Sequence, residues 1–139
     1  MTTDQAATAA PQDEPKGELA LRMIAMPADT NPAGDIFGGW IMSMLDLAGA
    51  ASAVQVAKGR VATIAVTEVV FLRPVKVGDA VCCYTTVQKI GRTSLTLRIE
   101  AWVLRQRFGD RMKVTSADFT FVALDEHGEP RPVLRSPQP

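Results

Sequence analysis

The longest apolar segment of the chain covers residues 36–57, which contain a single charge, Asp46. Such a run predicts a helix that begins near residues 38–40, and Lys58 followed by Gly59 supplies the expected stop signals. Its length also suits a membrane span, but an aspartate in mid-membrane costs about 2.5–3.5 kcal/mol. We therefore predict no membrane span, and instead a core helix that the protein's own residues bury on nearly all sides.

Five segments carry the β-branched or alternating pattern of strands. They are residues 19–25, before the helix, and residues 60–75, 80–90, 95–105 and 112–125, after it. Only the apolar helix can cover such a sheet, so the pattern predicts an α+β fold, an antiparallel sheet of about five strands wrapped around one long central helix. The opposite sheet face is also partly apolar, which favours a homo-oligomer.

The flanking segments differ in composition from this core. Residues 1–18 are small and polar and predict a disordered N-terminal tail, without the basic and apolar pattern of a signal peptide. Residues 127–139 are a Pro-rich C-terminal tail without helix or strand pattern. A single domain is expected over residues 19–126, and the cytoplasm is the default location.

Charge and cysteine content exclude several functions. The chain of 139 residues has 15 basic and 15 acidic side chains, whereas a general nucleic-acid-binding protein is usually basic. Its cysteines, Cys82 and Cys83, are adjacent, so no disulfide framework is expected. With one histidine, His127, and no CxxC motif there is no standard zinc site. The serines likewise lack a histidine partner for a Ser-His-Asp triad.

Four stretches carry a family resemblance: "AMPADTNPAGDIFGGWIMSMLDLAGA", "GRVATIAV", "FLRPVKVGDAVCCY" and "FTFVALDEHGEPRP". The combination of N-x-x-G-D-I-F-G-G with an aspartate seven residues after the second glycine resembles the hotdog-fold acyl-CoA thioesterases, and most closely their YciA-type branch. The resemblance implies hydrolysis of acyl-CoA to a free acid and CoA, with no further cofactor. It also implies a homodimer with active sites at its interface, often assembled as a trimer of dimers.

The resemblance places the catalytic carboxylate at Asp46, as general base or nucleophile. From the residues alone, a structural aspartate bonded to loop amides is an equal alternative, and Asp35 is the second candidate base. Burial on the helix would make Asp46 a better base near neutral pH. By resemblance Asn31 positions water or the thioester, although it could instead cap the loop before Pro32.

The amides of Gly38 and Gly39 open the helix and can hold the thioester oxygen. Gly39 and Asp46 lie roughly 10 Å apart along a helix. That separation predicts that Asp46 serves a thioester held by the helix start and loop of the other subunit.

Coenzyme A carries phosphates, so basic side chains and a polar turn are expected at its entrance. The candidates are Arg60, Arg73, Lys76, Lys89, Gly91, Arg92, Thr93 and Ser94, with the strand around Val66 along the pantetheine arm. Solvated charges at strand ends are the alternative for any single residue. The same features also suit a non-catalytic acyl-CoA or lipid-binding module. A hotdog dehydratase is disfavoured, because it would need an active-site histidine.

Overall fold

The computed structural model describes residues 14–105 and 109–134. Its strands are β1 (Glu18–Ile24), β2 (Val61–Phe71), β3 (Ala80–Ile90), β4 (Ser94–Leu104) and β5 (Arg111–Ala123). One long helix, α1 (Gly38–Ala57), follows β1 and a 3₁₀ turn at Pro27–Asp29. The predicted helix and all the predicted strands are present. The first strand after the helix ends at Phe71, four residues short of the prediction, as the chain approaches Pro74.

The strands form one antiparallel sheet in the order β1-β3-β4-β5-β2. Helix α1 contacts all of them on one face. Alternate residues of β4 and β5 point towards the helix and are almost fully buried, among them Ile99, Phe119 and Phe121. Leu45 and Ala48 of α1 meet them in the core. The predicted α+β architecture is therefore confirmed.

The predicted burial of α1 on nearly all sides is wrong for a single chain. Its buried positions lie on one face and are Ile41, Met44, Leu45, Ala48, Gly49, Ala53 and Ala57. On the uncovered face, Leu47 is 54% and Val54 is 42% exposed. The sheet covers the helix from one side only, so its remaining apolar side chains require a second surface.

Helix α1 also has features of a membrane span. By length and composition, α1 is the one helix of the described residues that could cross a bilayer. Seven of its residues nevertheless pack against the sheet of the same chain.

The chain ends fall partly outside the described residues. The predicted disorder of residues 1–18 concerns mainly residues 1–13, which lie outside them, as do residues 135–139. Within the C-terminal segment, Val133 is 1% exposed and its amide donates to the carbonyl of Arg92. Arg131 bonds the carbonyl of Ala57 at the end of α1. The segment up to residue 134 therefore packs against the domain.

Candidate active site

The start of α1 presents free backbone donors. Phe37 precedes the helix in an extended conformation and supplies no side-chain cap. Within the described residues, the amides of Gly38 and Gly39 donate no hydrogen bond, as expected for the first turn of a helix. They also carry the positive end of the helix dipole. This end of α1 can therefore bind an oxygen that gains negative charge.

A cleft of about 360 Å³ opens beside these amides. Its lining residues are Ile36, Gly38, Ile41, Phe71, Leu72, Arg73 and Pro74. A Cβ atom on Gly38 would lie 3.4 Å from the ring of Phe71, in ordinary contact with it. The cleft is largely apolar, and Arg73 is the one charged residue in its lining.

Asp46 lies at the edge of the uncovered side of α1, next to β2. Its Oδ1 accepts a hydrogen bond of 2.6 Å from the hydroxyl of Thr63 in β2. The carboxylate is half-buried, so the predicted burial is wrong for a single chain. The physical reason is the helical repeat, because Asp46 is rotated by about 100° from Leu45, which faces the sheet. The carboxylate is therefore available to a group that approaches the uncovered face.

Asn31 is held in its loop by its own side chain. Its Oδ1 accepts from the amides of Ala33 (3.0 Å) and Asp35 (3.1 Å). The loop-capping alternative is thus present in the structure. These bonds occupy the oxygen and leave the Nδ2 group as the donor, with no acceptor among the described residues. Capping and a donor role towards a substrate are compatible.

Two predicted charges near the helix start already have partners. Lys76 forms an ion pair with Asp35, and a guanidinium nitrogen of Arg73 donates to the carbonyl of Lys113 at 2.6 Å. The ion pair of Lys76 and Asp35 is partly exposed, so it contributes little to stability. The carboxylate of Asp35, the alternative base, is therefore already paired with Lys76.

The predicted CoA contacts divide into two groups at opposite ends of the sheet. Arg73 and Lys76 follow β2, at the end where α1 begins. The other group lies where α1 ends and consists of Arg60, Lys89, Gly91, Arg92, Thr93 and Ser94. The 11 residues of β2 separate the groups, which is roughly 35 Å at about 3.3 Å per residue. Val66 lies between them in β2. One chain does not bring all these residues together.

The cysteines are core residues. Cys82 is 6% and Cys83 is 0% exposed. Burial, helped by the neighbouring Cys82, raises the pKa of the Cys83 thiol to about 12. The thiol therefore stays protonated at neutral pH and is a poor nucleophile. In the described part of the chain, no cluster of three or more His, Cys, Asp or Glu residues could hold a metal ion.

Sequence reasoning missed two features of the site. Thr63 was not recognised as the partner of Asp46, because the contact joins a helix and a strand with no shared pattern. Asp79 and its partner Arg105, which bond the loop after β2, were also missed. An aspartate followed directly by a strand, in the turn "VGD", was the only available signal for this pair.

A five-stranded antiparallel sheet on one long helix is the hotdog architecture. A hexameric hotdog fold thioesterase of Campylobacter jejuni is similar, with a TM-score of 0.81 and 44% identity, covering 85% of this chain and 91% of that chain. The predicted hotdog fold is confirmed. The model of the Thioesterase superfamily matches residues 33–108, more than half of the chain. The chain therefore belongs to the Thioesterase superfamily.

Relatives of higher identity support the predicted branch. The acyl-CoA thioester hydrolase YciA of Salmonella typhimurium is 53% identical over 122 residues, which cover 86% of this chain and 92% of that protein. A hexameric thioesterase of Yersinia pestis is 52% identical with a TM-score of 0.83, covering 88% of this chain and all of that chain. The resemblance to the YciA-type thioesterases is confirmed.

Proposed function

We propose that this protein hydrolyses acyl-CoA thioesters to a carboxylic acid and CoA, in the cytoplasm and without a cofactor. The observation that carries the proposal is that one helix, α1, supplies both parts of the site. Thr63 holds the carboxylate of Asp46 at the edge of its uncovered face, and the first amides of the helix are free. A base and an oxyanion site are the two parts that thioester hydrolysis by water requires. The Salmonella relative is named an acyl-CoA thioester hydrolase, which supplies the substrate class.

In the proposed reaction, the thioester oxygen accepts hydrogen bonds from the amides of Gly38 and Gly39. Asp46 takes a proton from water while the water oxygen attacks the carbonyl carbon. The negative charge moves onto the thioester oxygen, where the helix dipole stabilises it. The C–S bond then breaks, and the CoA sulfur receives the proton from Asp46. Asn31 donates through Nδ2 and positions water or the thioester.

The same geometry supports a site shared between two subunits of a homodimer. Gly39 and Asp46 of one subunit are separated by roughly 10 Å along α1. They are too far apart for both to act on the carbonyl group of one bound thioester. A two-fold axis beside α1 would place the helix start of one subunit near Asp46 of the other. It would also cover the exposed Leu47 and Val54.

A shared site also accounts for the divided basic groups. In an antiparallel pair of β2 edges, the Arg73 end of one subunit lies next to the Arg60 and Arg92 end of its partner. Both groups can then contact one CoA molecule. A trimer of such dimers would give the hexamer that the names of the Campylobacter and Yersinia relatives describe.

The decisive test is the Asp46→Asn variant, which keeps the shape of the side chain and removes the base. Free thiol is measured after mixing with acetyl-, butyryl- and palmitoyl-CoA. Turnover should fall at least about a hundredfold, the scale of lost general-base catalysis. Arg98→Ala, a change on the sheet face away from the helix, is the control and should keep wild-type turnover. Wild-type-like turnover of Asp46→Asn would contradict the proposal.

The alternative function as a binding module gives a different result in the same assay. Tight binding of acyl-CoA by the wild-type protein without release of thiol would favour it. A single turnover in ¹⁸O-labelled water separates the two roles of Asp46. A general base places all of the label in the product acid. Label in the carboxylate of Asp46 identifies a nucleophile, because it requires a mixed anhydride whose aspartyl carbonyl is attacked by water.

A further inference from the structure

Asp79 is the most deeply buried carboxylate of the described residues, with 2% of its surface exposed. Arg105 donates to both of its oxygens, from Nε at 3.0 Å and from Nη2 at 2.9 Å. The amide of Lys76 donates to Oδ2 at 2.9 Å. Arg105 Nη2 also donates to the carbonyl of Pro74 at 3.2 Å. The pair therefore closes the turn between β2 and β3 from two sides.

This turn holds both ends of the loop that contains Asn31. At the start of that loop, the amide of Ala25 donates to the carbonyl of Asp79 at 3.0 Å. At its end, the amide of Ile36 donates to the carbonyl of Val75 at 2.9 Å, and Val75 is fully buried. Pro74 itself lines the same cleft as Gly38. One ion pair thus connects the cleft wall with the segment that leads into α1.

Stability alone is a weak reason for such a pair. Removing a carboxylate from water costs several kcal/mol in typical cases, about as much as its ion pair returns. Its hydrogen bonds, however, fix backbone atoms of Pro74 and Lys76 in the turn whose main-chain carbonyls accept from Ala25 and Ile36. The bonds to Asp79 also raise the pKa of Arg105.

We propose that Asp79 and Arg105 are positioning residues for substrate binding, which fix the cleft wall at Pro74 and the loop end at Ile36 relative to the start of α1. The inference rests on the proposed function, since it assigns the cleft to acyl-CoA. Neither side chain touches the reacting atoms. Asp46 and the amides of Gly38 and Gly39 belong to α1, which has no hydrogen bond to the pair.

The test compares Arg105→Ala and Arg105→Lys with Arg98→Ala. Arg98 is the matched control, because it bonds Asp118 (3.2 Å) and Ser116 (3.0 Å) on the sheet face away from the helix. In the thiol-release assay, Arg105→Ala should raise KM about tenfold or more and change kcat less than about threefold. The KM of Arg105→Lys should fall between those of the wild type and Arg105→Ala, since an ammonium group lacks the planar fork that reaches two acceptors. Arg98→Ala should leave KM within about twofold of the wild type.

Amide hydrogen exchange provides a readout that does not depend on turnover. Arg105→Ala should accelerate exchange at Ile36 and Lys76, and Arg98→Ala should not. An unchanged KM in Arg105→Ala, or equally accelerated exchange throughout β3 and β4, would overturn the positioning role. If the wild-type protein releases no thiol, the proposed function fails, while the exchange data still decide whether the pair fixes these segments.

Discussion

Two buried threonines of the sheet differ in whether their hydroxyl groups are bonded. Thr115 in β5 is 0% exposed, and its Oγ1 has no partner within the described residues. Thr85 in β3 is 5% exposed and its hydroxyl lies 2.7 Å from that of Ser52 in α1. An unsatisfied buried hydroxyl costs free energy, whereas a satisfied one contributes modestly.

Replacement by valine should therefore change stability in opposite directions at these positions. Thr115→Val removes an unbonded hydroxyl and should raise the free energy of unfolding by about 1 kcal/mol. Thr85→Val leaves Ser52 without its partner and should lower the free energy of unfolding by about 1–2 kcal/mol. Urea denaturation at one fixed protein concentration measures both. Destabilisation of the same size by both substitutions would contradict the prediction.

At the residue scale, the sequence revealed Asp46 and not its partner. A lone charge in an apolar run can be recognised from the sequence alone, because its contrast with the neighbouring residues does not depend on the fold. The contact with Thr63 depends on how α1 lies across β2. The contact of Asp79 with Arg105 likewise joins a turn to the end of β4. Such contacts are set by tertiary packing and leave no local pattern.

At the scale of the element, the packing of α1 depends on Gly49. A Cβ atom there would lie 2.6 Å from Cδ1 of Ile99 and 2.9 Å from the ring of Phe121. These side chains are themselves buried and closely packed, so they have little room to move. Glycine at this position lets the helix approach the sheet.

Gly49→Ala should therefore destabilise the protein although alanine favours helices. The gain in helix propensity is about 1 kcal/mol, and overpacking of a core costs typically about 1–3 kcal/mol. We expect a net loss of about 1 kcal/mol in the free energy of unfolding. Gln55→Ala, at an exposed position of the same helix outside the face of Leu47, should change stability by less than about 0.5 kcal/mol. A Gly49→Ala variant more stable than the wild type would show that α1 can move away from the sheet.

The elements themselves were predictable because their signals are local. Alternation in β4 and the stop signal at Lys58 depend on neighbours in the chain. The burial of α1 was overestimated, because an apolar helix can be covered by its own sheet or by another subunit, and composition does not distinguish these. Leu47 and Val54 belong to the second case under the proposed dimer.

At the scale of the whole molecule, β2 and the free face of α1 form surfaces that one chain leaves open. β2 is an edge strand, and Ile64 and Val70 on it are 58% and 44% exposed. An apolar edge strand without a partner is prone to pair with another strand. Edge pairing of β2 across a two-fold axis would close both surfaces and assemble the divided site.

A subunit complementation experiment tests this arrangement directly. Asp46→Asn and Asn31→Ala are each expected to be inactive as homodimers. If the site combines Asp46 of one subunit with Asn31 of the other, a hybrid dimer has one site with both changes and one intact site. Random pairing makes half of the dimers hybrid, so an equal mixture that is unfolded and refolded should regain about a quarter of the wild-type turnover.

A site within one subunit gives a different result, because every subunit of the mixture then carries one lost group. Activity would stay at the level of the separate variants. Refolding Asp46→Asn together with Asp46→Ala is the control and should give no recovery under either arrangement. Recovery near one quarter in the first mixture and none in the control would place Asp46 and Asn31 of different subunits at one thioester. The roughly 10 Å between Gly39 and Asp46 along α1 would then be a consequence of that shared site.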